Sequence, residues 1–340
     1  FSQIEGFGEY GFPESHAASF ALLVYVSAWL KCHEPACFLV ALLNSQPMGF
    51  YSPSQLVQDA RHHCVEVYPV DVSYSDLDSR LDKKPVEKQT KKLGSDPDCF
   101  SEPAVRLGLH LVSGLGSVSA QRIMAARAVA PFESVEDLAL RAQLDRSDLT
   151  ALSAGDALAS LAGHRRQQAW AASALGASSE LLRQAPVLEA ELILPEAQEG
   201  EEVLHDYAAL GLSLRRHPMA ILRPQLSHLQ LKTSAQLQNV AHGRRVVACG
   251  LVTMRQSPST AKGVVFVTLE DEHGCVNVIV WQSVRERQLK ALLHARLLAV
   301  WGEWQRDVDS GGQVRHLIAQ RLQDLTPMLG GLSTQSREFH

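Results

Sequence analysis

Residues 244–325 carry a hydrophobic pattern that few folds can accommodate. Five short runs rich in β-branched and aromatic residues predict strands at 246–252, 264–269, 276–281, 297–301 and 314–319. Helical spacing over 283–293 places one helix between the third and fourth strands. Strand-strand-strand-helix-strand-strand is the element order of an OB-fold barrel. We therefore predict an all-β OB-fold domain over residues 241–327, followed by a tail over 328–340.

The predicted barrel has side chains suited to single-stranded nucleic acid. Its predicted strands carry most of the aromatic residues of this region, namely Phe266, Trp281, Trp301 and Trp304. Aromatic side chains flanked by cations hold single strands without reading their sequence. We predict DNA contacts by Arg255, Lys262, Phe266 and Arg306. Phe266 is the aromatic residue expected to be exposed, whereas Trp301 is expected in the core, where tryptophans on alternating strands are often found.

The segment from Gly114 to Arg127 predicts a second DNA contact. It reads Gly-Leu-Gly followed by a stretch with helical spacing, which resembles the helix-hairpin-helix motif. Glycine permits a positive φ in a tight turn and leaves the backbone uncovered. The amides at the start of the following helix can then bind a phosphate, a contact that positions DNA without reading its sequence. We predict phosphate contacts by Gly114, Leu115 and Gly116, with Arg122 and Arg127 reaching neighbouring phosphates.

A degenerate second hairpin follows. Residues 147–152 and the segment from Leu158 onward have helical spacing, and a short turn at 154–157 joins them. Arg165 and Arg166 supply positive charge near its end and are further DNA-binding candidates. The alternative is that these helices only pack against the first hairpin, and the sequence leaves both interpretations open. We assign residues 104–175 to a tandem helix-hairpin-helix region.

Residues 176–240 are predicted to connect the two DNA-binding regions. Residues 176–205 contain seven glutamates and a single arginine, Arg183. Such a stretch is typical of a solvated linker, and DNA would avoid it. Residues 206–237 have the spacing of a helical connector. The formal net charge of −5 for the whole chain therefore averages over segments of different character.

The first 103 residues predict the end of a mostly helical domain with a small α/β element. The apolar run at 17–30 is shorter than the roughly 20 residues that cross a bilayer, so we expect a buried helix. Residues 53–63 predict an amphipathic helix opened by Ser52 and Pro53, and 65–70 predict a strand. Residues 83–103 are polar and lysine-rich, as in a loop or insertion.

The compartment expected from the sequence is the cytoplasm. Glu5 and Glu9 occupy the place of the basic segment of a signal peptide. The six cysteines have neither the density nor the spacing of a disulfide framework, which favours reduced thiols. No membrane partner is predicted.

No catalytic motif can be recognised in the sequence. Polymerising enzymes hold two metal ions with paired carboxylates, but the Asp-x-Asp pairs at 76–78 and 307–309 lie in polar turns that we expect to be solvated. The sequence contains neither a GxxxxGK[ST] phosphate loop nor a Lys-x-Asp-Gly motif. We therefore predict no catalytic residue, no metal site and no cofactor within this chain.

The N-terminal residues carry the most specific resemblance. Residues 8–21, GEYGFPESHAASFA, resemble a stretch of the fingers domain of bacterial C-family DNA polymerases (the DnaE-like alpha subunits), and the likeness continues at 28–31 and 41–44. Residues 104–109, which lead into the hairpin, and 207–214, followed by His217 and Pro218, resemble the family's next regions in order. The resemblance implies the end of the fingers over 1–103, then hairpins, connector and OB domain.

Within that family the amino-acid sequence is similar to that of the error-prone, damage-tolerant branch (the ImuC type). Pro13 and Glu14 stand where replicative enzymes usually have Asn-Lys. Residues 44–51 and 336–340 also fit that branch. The start at Phe1, without methionine, and the end shortly after the barrel are those expected of a C-terminal fragment.

The resemblance implies template-directed nucleotidyl transfer by the intact enzyme, in translesion synthesis during damage-induced mutagenesis. Mg²⁺ would be held by aspartates outside this chain, so the chain should be inactive alone. The resemblance places Ser15, His16 and Lys31 near the nucleotide and template pocket. A sliding clamp and other mutagenesis proteins are expected partners beside DNA. Two alternatives are a non-enzymatic DNA-repair scaffold and a barrel that binds protein instead of DNA.

Overall fold

A computed structural model describes residues 14–48, 51–82, 103–174, 192–258, 263–307, 313–331 and 337–339. The chain divides into two compact units. One consists of Phe1–Glu196 with Ala209–Leu212, and the other of Ala197–Ala208 with Ser213–His340. The expected insertion at 83–102 and the linker residues 175–191 lie outside the described residues.

The first unit is helical with one small sheet. Its helices are α1 (Glu14–His33), α2 (Pro35–Asn44), α3 (Pro53–His62), α4 (Ser117–Val129), α5 (Val135–Arg141), α6 (Arg146–Ala154), α7 (Ala159–Ala162) and α8 (Arg165–Ala174). Its strands are β1 (Val67–Tyr68), β2 (Arg80–Asp82) and β3 (Ala104–Arg106). The helix predicted at 53–63 is confirmed, and the Ser52 hydroxyl accepts from the amide of Gln55 as its cap. The predicted strand at 65–70 is present but only two residues long.

The small sheet joins segments that the sequence separates. β3 pairs in parallel with β1 and antiparallel with β2. The loop after β1 is also fixed to the second hairpin, because Asp71 Oδ1 accepts from Ser160 Oγ (2.7 Å) and Val72 N donates to the Ala157 carbonyl (2.9 Å). The predicted division at 103/104 therefore runs through a sheet, and residues 67–82 pack with the hairpins.

Helix α1 forms where a helix was expected, but it is not buried. Its side chains from His16 to Leu30 are exposed, with Leu22 at 64% and Tyr25 at 70%. The prediction of a buried helix is wrong for the described chain, because α1 meets other elements mainly near its end, where Lys31 Nζ pairs with Asp59 (2.9 Å). No single described helix is long and apolar enough to span a membrane, although α1 and α2 pass that test together with a 119° bend between them.

Two further expectations are corrected. Cys64 is disulfide-bonded, so the prediction of reduced thiols is wrong for this residue. The acidic stretch is not a solvated linker over its whole length, because α9 (Glu199–Leu210) begins within it. Glu202 is buried there and pairs with Arg215 (3.1 Å).

The second unit is a five-stranded barrel with helices packed on it. After α9 come α10 (Pro218–Leu222) and α11 (Ser234–Leu237); the barrel elements are β4 (Arg244–Gln256), β5 (Val265–Asp271), β6 (Gly274–Val280), α12 (Gln282–Arg287), α13 (Leu289–His294), β7 (Leu297–Arg306) and β8 (Arg315–Asp324). The strand order β5-β6-β8-β7-β4 closes through a β4–β5 pairing. A further strand, β9 (Arg337–Phe339), pairs with the end of β4. The OB-fold barrel is confirmed, with its predicted single helix divided in two.

The barrel core follows from strand alternation. Val265, Val267 and Leu269 of β5 point inward with Val276, Val278 and Val280 of β6, and all six are buried. Leu292 of α13 closes the same core. The residues between them, at every second position, therefore form an outer face on β5 and β6.

Candidate nucleic-acid interface

The glycine turn has the predicted hairpin geometry. Gly114 adopts a φ of +87°, which favours glycine, and Leu115 N donates to the Val112 carbonyl (3.2 Å). Gly116 is the N-cap of α4 and offers no side chain to cap the helix. The element before the turn is a single 3₁₀ turn, Leu109–Leu111, instead of a full helix.

The start of α4 presents uncovered backbone amides. The first amide bonded within the helix is that of Ala120, which donates to the Gly116 carbonyl (3.0 Å). The preceding amides, of Ser117, Val118 and Ser119, therefore lack an intrahelical acceptor. Gly114, Gly116, Ser117 and Val118 are exposed. A 13-residue helix with this start can accept an anion through its amides and its dipole.

The two arginines expected to help the hairpin are each paired with a carboxylate of the protein. Arg122 Nη2 donates to Ser119 Oγ (2.9 Å) and lies 3.5 Å from Asp148 Oδ2. Arg127 donates to two main-chain carbonyls and to Asp76 Oδ1 (2.6 Å). The prediction that Arg127 reaches a phosphate is therefore wrong, and Asp76 is an ion-pair partner instead of a solvated turn residue. Apart from Arg122, whose side chain is 38% exposed, the exposed groups at the start of α4 are uncharged.

Replacing Arg127 with alanine should destabilise the first unit. The carbonyls of Val72 and Ser75 and the Asp76 carboxylate would lose their donor, which should lower the free energy of unfolding by about 2–3 kcal/mol. Denaturant unfolding would measure this loss. Arg146→Ala, at an exposed arginine of the same unit, should change stability by less than about 0.5 kcal/mol. Weaker duplex binding by Arg127→Ala with unchanged stability would contradict the assignment.

The turn of the second hairpin is buried. Gly155, Ala157 and Leu158 are buried, and a Cβ at Gly155 would lie 3.3 Å from the Val112 side chain. The sequence left a DNA-binding and a packing role open, and this burial favours packing. Arg165 is only 6% exposed, so it is not a phosphate ligand as predicted. Arg166 Nη1 donates to the Pro195 carbonyl (3.3 Å), and its DNA contact stays a prediction.

On the barrel, Phe266 lies on the outer face of β5. It is 38% exposed, which confirms its predicted exposure, while its contact with DNA stays a prediction. It pairs with Ile279 of β6 and with Gln256 of β4. Beside it, Thr268 Oγ1 lies 3.3 Å from Asn277 Oδ1. On this face the exposed Phe266 ring thus lies beside Ile279 and the polar, uncharged side chains of Thr268 and Asn277.

The predicted barrel cations have different positions. Arg255 is 6% exposed and donates to the carbonyls of Leu292 and Ala295 at the end of α13, so it is not a DNA ligand as predicted. Arg306 donates to the Gln238 carbonyl at the barrel rim, and its DNA contact stays a prediction. Lys262 lies outside the described residues.

The barrel tryptophans separate into three environments. Trp304 is 2% exposed and belongs to the core. Trp301 is partly buried under the Arg321 guanidinium, 4.8 Å from its ring, so its predicted core position is only partly met. Trp281 is 53% exposed and caps α12, just past the end of β6. The sequence did not single out Trp281; its place between a strand and a helix start is the feature that could have done so.

The three residues predicted near the nucleotide pocket all lie on α1, with Lys31 about four turns beyond His16. Lys31 pairs with Asp59, and the His16 ring lies 4.4 Å from that of Phe20 on the same helix. The side chain of Ser15 lies outside the described residues. Their role stays a prediction.

Comparisons with known proteins agree with this architecture. A model of the helix-hairpin-helix motif matches residues 64–168, and a model of the OB-fold nucleic acid binding domain matches residues 246–325. The first match begins before β1, in agreement with the sheet that fixes residues 67–82 to the hairpins. The predicted fold class, a helical region with a helix-hairpin-helix motif followed by an OB-fold barrel, is confirmed.

Relatives match along the whole chain. A protein named error-prone DNA polymerase from Ralstonia nicotianae is 54% identical over 99% of this chain. Proteins of the same name from Burkholderia pseudomallei and Alkalilimnicola ehrlichii are 55% and 51% identical over 100% of it. The chain spans only 30–31% of the length of these relatives. It is therefore similar, from end to end, to one portion of proteins named error-prone DNA polymerase, and it carries a helix-hairpin-helix motif and an OB-fold nucleic acid binding domain.

Proposed function

We propose that this chain is the DNA-binding portion of an error-prone DNA-directed DNA polymerase. The hairpin holds duplex DNA through phosphate contacts, and the barrel holds single-stranded template. The observation that carries the proposal is the start of α4, where the backbone amides of the exposed residues Ser117 and Val118 have no acceptor within the helix. Amides at a helix start bind phosphate without reading sequence, as a polymerase that moves along any template requires.

The intact protein is proposed to catalyse template-directed nucleotidyl transfer with Mg²⁺ held elsewhere in its longer chain. The resemblance of the sequence to the ImuC-type branch supports a role in translesion synthesis and damage-induced mutagenesis. In this proposal the first unit's N-terminal part is the end of a fingers domain, and a sliding clamp and other mutagenesis proteins are partners in the cytoplasm. The whole-chain similarity includes α1 and α2, which a scaffold of hairpins and barrel alone would not need.

The barrel's part in this function can be tested at Phe266. Phe266→Ala should weaken binding of a labelled oligothymidine by about 1–3 kcal/mol, because a base would lose its stacking partner. Binding of a labelled blunt duplex should not change. Fluorescence anisotropy titrations at one fixed salt concentration would measure both affinities, since phosphate contacts make affinity salt-dependent.

Tyr51→Ala provides the control, because Tyr51 is an exposed aromatic residue of the first unit. It should bind both probes as the unaltered chain does. If the unaltered chain binds neither probe, the proposed function is wrong. If only the duplex is bound, and Phe266→Ala changes nothing, the barrel does not hold template.

A further inference from the structure

Among the described residues of the second unit, two large aromatic side chains are exposed. Phe266 is 38% exposed and Trp281 is 53% exposed, whereas Trp304 is 2% exposed. A buried tryptophan stabilises a core, but an exposed one leaves a large apolar ring in water. Trp281 has no role in the barrel core, so its exposure needs another explanation.

Strand register places Trp281 near Phe266. Phe266 lies opposite Ile279 in the antiparallel β5–β6 pair, and Trp281 follows Ile279 by two positions. Trp281 stands one residue past Val280, the last residue of β6, and its backbone is still extended (φ −68°, ψ 156°). Val280 is fully buried and Trp281 is exposed, so the alternation of β6 continues to Trp281. Phe266 and Trp281 are therefore exposed rings near the same end of the β5–β6 pair.

Positive charge continues from Trp281 along α12 and α13. Arg285 Nη1 donates to the Gly263 carbonyl (3.3 Å), which holds this guanidinium beside the β4–β5 loop. Arg287 and Lys290 are exposed. The acidic residue of these two helices, Glu286, accepts a hydrogen bond from Gln282 Nε2 (2.8 Å). The cations thus outnumber the acid three to one, without counting His294.

We propose that Trp281 is a second base-stacking residue and that single-stranded DNA leaves the barrel face over α12 and α13. Arg285, Arg287 and Lys290 contact its phosphates there. The inference rests on the proposed function and deepens it, since it gives the template a direction across the barrel and lengthens the stretch that is held. Aromatic rings followed by cations are the pattern of a sequence-tolerant single-strand site.

Two exposed leucines make a protein partner the competing occupant of this surface. Leu289 and Leu293 are 43% and 45% exposed and lie one turn apart on α13. Nucleic acid is favoured because a second exposed ring, that of Phe266, lies near the same end of the β5–β6 pair, and because the charges on α12 and α13 are mainly cationic. A protein that bound only the leucines would have no need of the two rings.

The test uses the full chain and two oligothymidines, one of about 5 and one of about 16 nucleotides, which span the site sizes of OB-folds. Trp281→Ala should weaken binding of the longer probe about 10-fold. The double variant Arg287→Glu, Lys290→Glu should weaken the longer probe far more than the shorter one. It should also flatten the dependence of log K on log salt, since two phosphate contacts are lost.

Matched controls are present in the chain. Trp170→Ala removes a tryptophan that is 45% exposed on α8 of the first unit, and Lys232→Glu reverses an exposed charge away from α12 and α13. Both should bind as the unaltered chain does. Equal binding of both probes by Trp281→Ala and the unaltered chain, with a loss in Phe266→Ala, would overturn the inference and assign the surface to a protein partner. Failure of the unaltered chain to bind either probe would instead overturn the proposed function.

Discussion

Replacing Gly302 with alanine is expected to lower the free energy of unfolding of the barrel by about 3–5 kcal/mol. Gly302 lies in β7 between β4 and β8, at an irregularity in the β7–β8 register. A Cβ built there would lie 2.1 Å from the Ile318 carbonyl oxygen and 2.9 Å from its carbon. Both atoms belong to the backbone, so the strands would have to separate and ladder hydrogen bonds would be lost. The effect is therefore larger than that of an ordinary surface substitution.

Denaturant unfolding followed by tryptophan fluorescence would measure this change, since Trp304 is buried in the barrel. Gly331→Ala is the control, because no atom lies within 4 Å of a Cβ built at that position. It should change the free energy of unfolding by no more than about 0.5 kcal/mol, the range of neutral surface substitutions. A midpoint for Gly302→Ala equal to that of the control would show that β7 and β8 do not approach as described.

The sequence predicted the barrel well because its strands bury one face. Val265, Val267 and Leu269 repeat at a period of two, which only a half-buried strand satisfies. The observed strands extend beyond the predicted ones, as at β8, which ends at Asp324 instead of residue 319. Their ends depend on pairing with neighbours, and periodicity does not report that. The glycine turn was also predicted correctly, because the positive φ of Gly114 favours glycine.

The burial and the hydrogen-bond partners of each arginine could not be predicted from local sequence. Arg127 has its partners more than 50 residues away, in the loop after β1. Arg255 finds its acceptors at the end of α13, 37 and 40 residues away. A basic residue beside a DNA-binding motif has the same appearance in sequence whether it faces solvent or a buried carbonyl. Two of the predicted DNA ligands, Arg165 and Arg255, proved to be buried for this reason, and Arg127 is held by Asp76 and two carbonyls.

The burial of helix α1 could likewise not be predicted from local sequence. The sequence identified the helix correctly, but burial depends on neighbours, and the described neighbours do not cover it. The apolar composition of a helix indicates that the helix favours burial, but it does not show which neighbours the helix packs against. Strand alternation alone likewise did not separate Trp281 from Trp304, although one is 53% exposed and the other 2%.

The double variant Gly114→Ala, Gly116→Ala is expected to bind duplex DNA at least about 10-fold more weakly, because hydrogen bonds to a charged phosphate contribute about 1.5–3 kcal/mol each. Gly114 has a φ of +87°, where a Cβ is strained, so alanine should shift the turn. At Gly116 a Cβ has no neighbour closer than Ser119 Oγ, at 4.0 Å. Its methyl group would instead stand beside the uncovered amides. The loss should be similar for duplexes of unrelated sequence.

The salt dependence of this loss is the sharper measurement. Counterions are released when Lys or Arg neutralises phosphates, but Arg122 and Arg127 are each paired with a carboxylate of the protein, and the two glycine substitutions remove no cation. The double variant should therefore lower duplex affinity at every salt concentration with little change in the slope of log K against log salt.

Gly211→Ala is the control, since Gly211 also has a positive φ, +71°, with no atom near its Cβ. It should bind duplex normally. A double variant that binds as tightly as the unaltered chain would show that the amides of α4 do not hold phosphate. A loss that is accompanied by a flatter slope would show that cations, and not amides, make the contact.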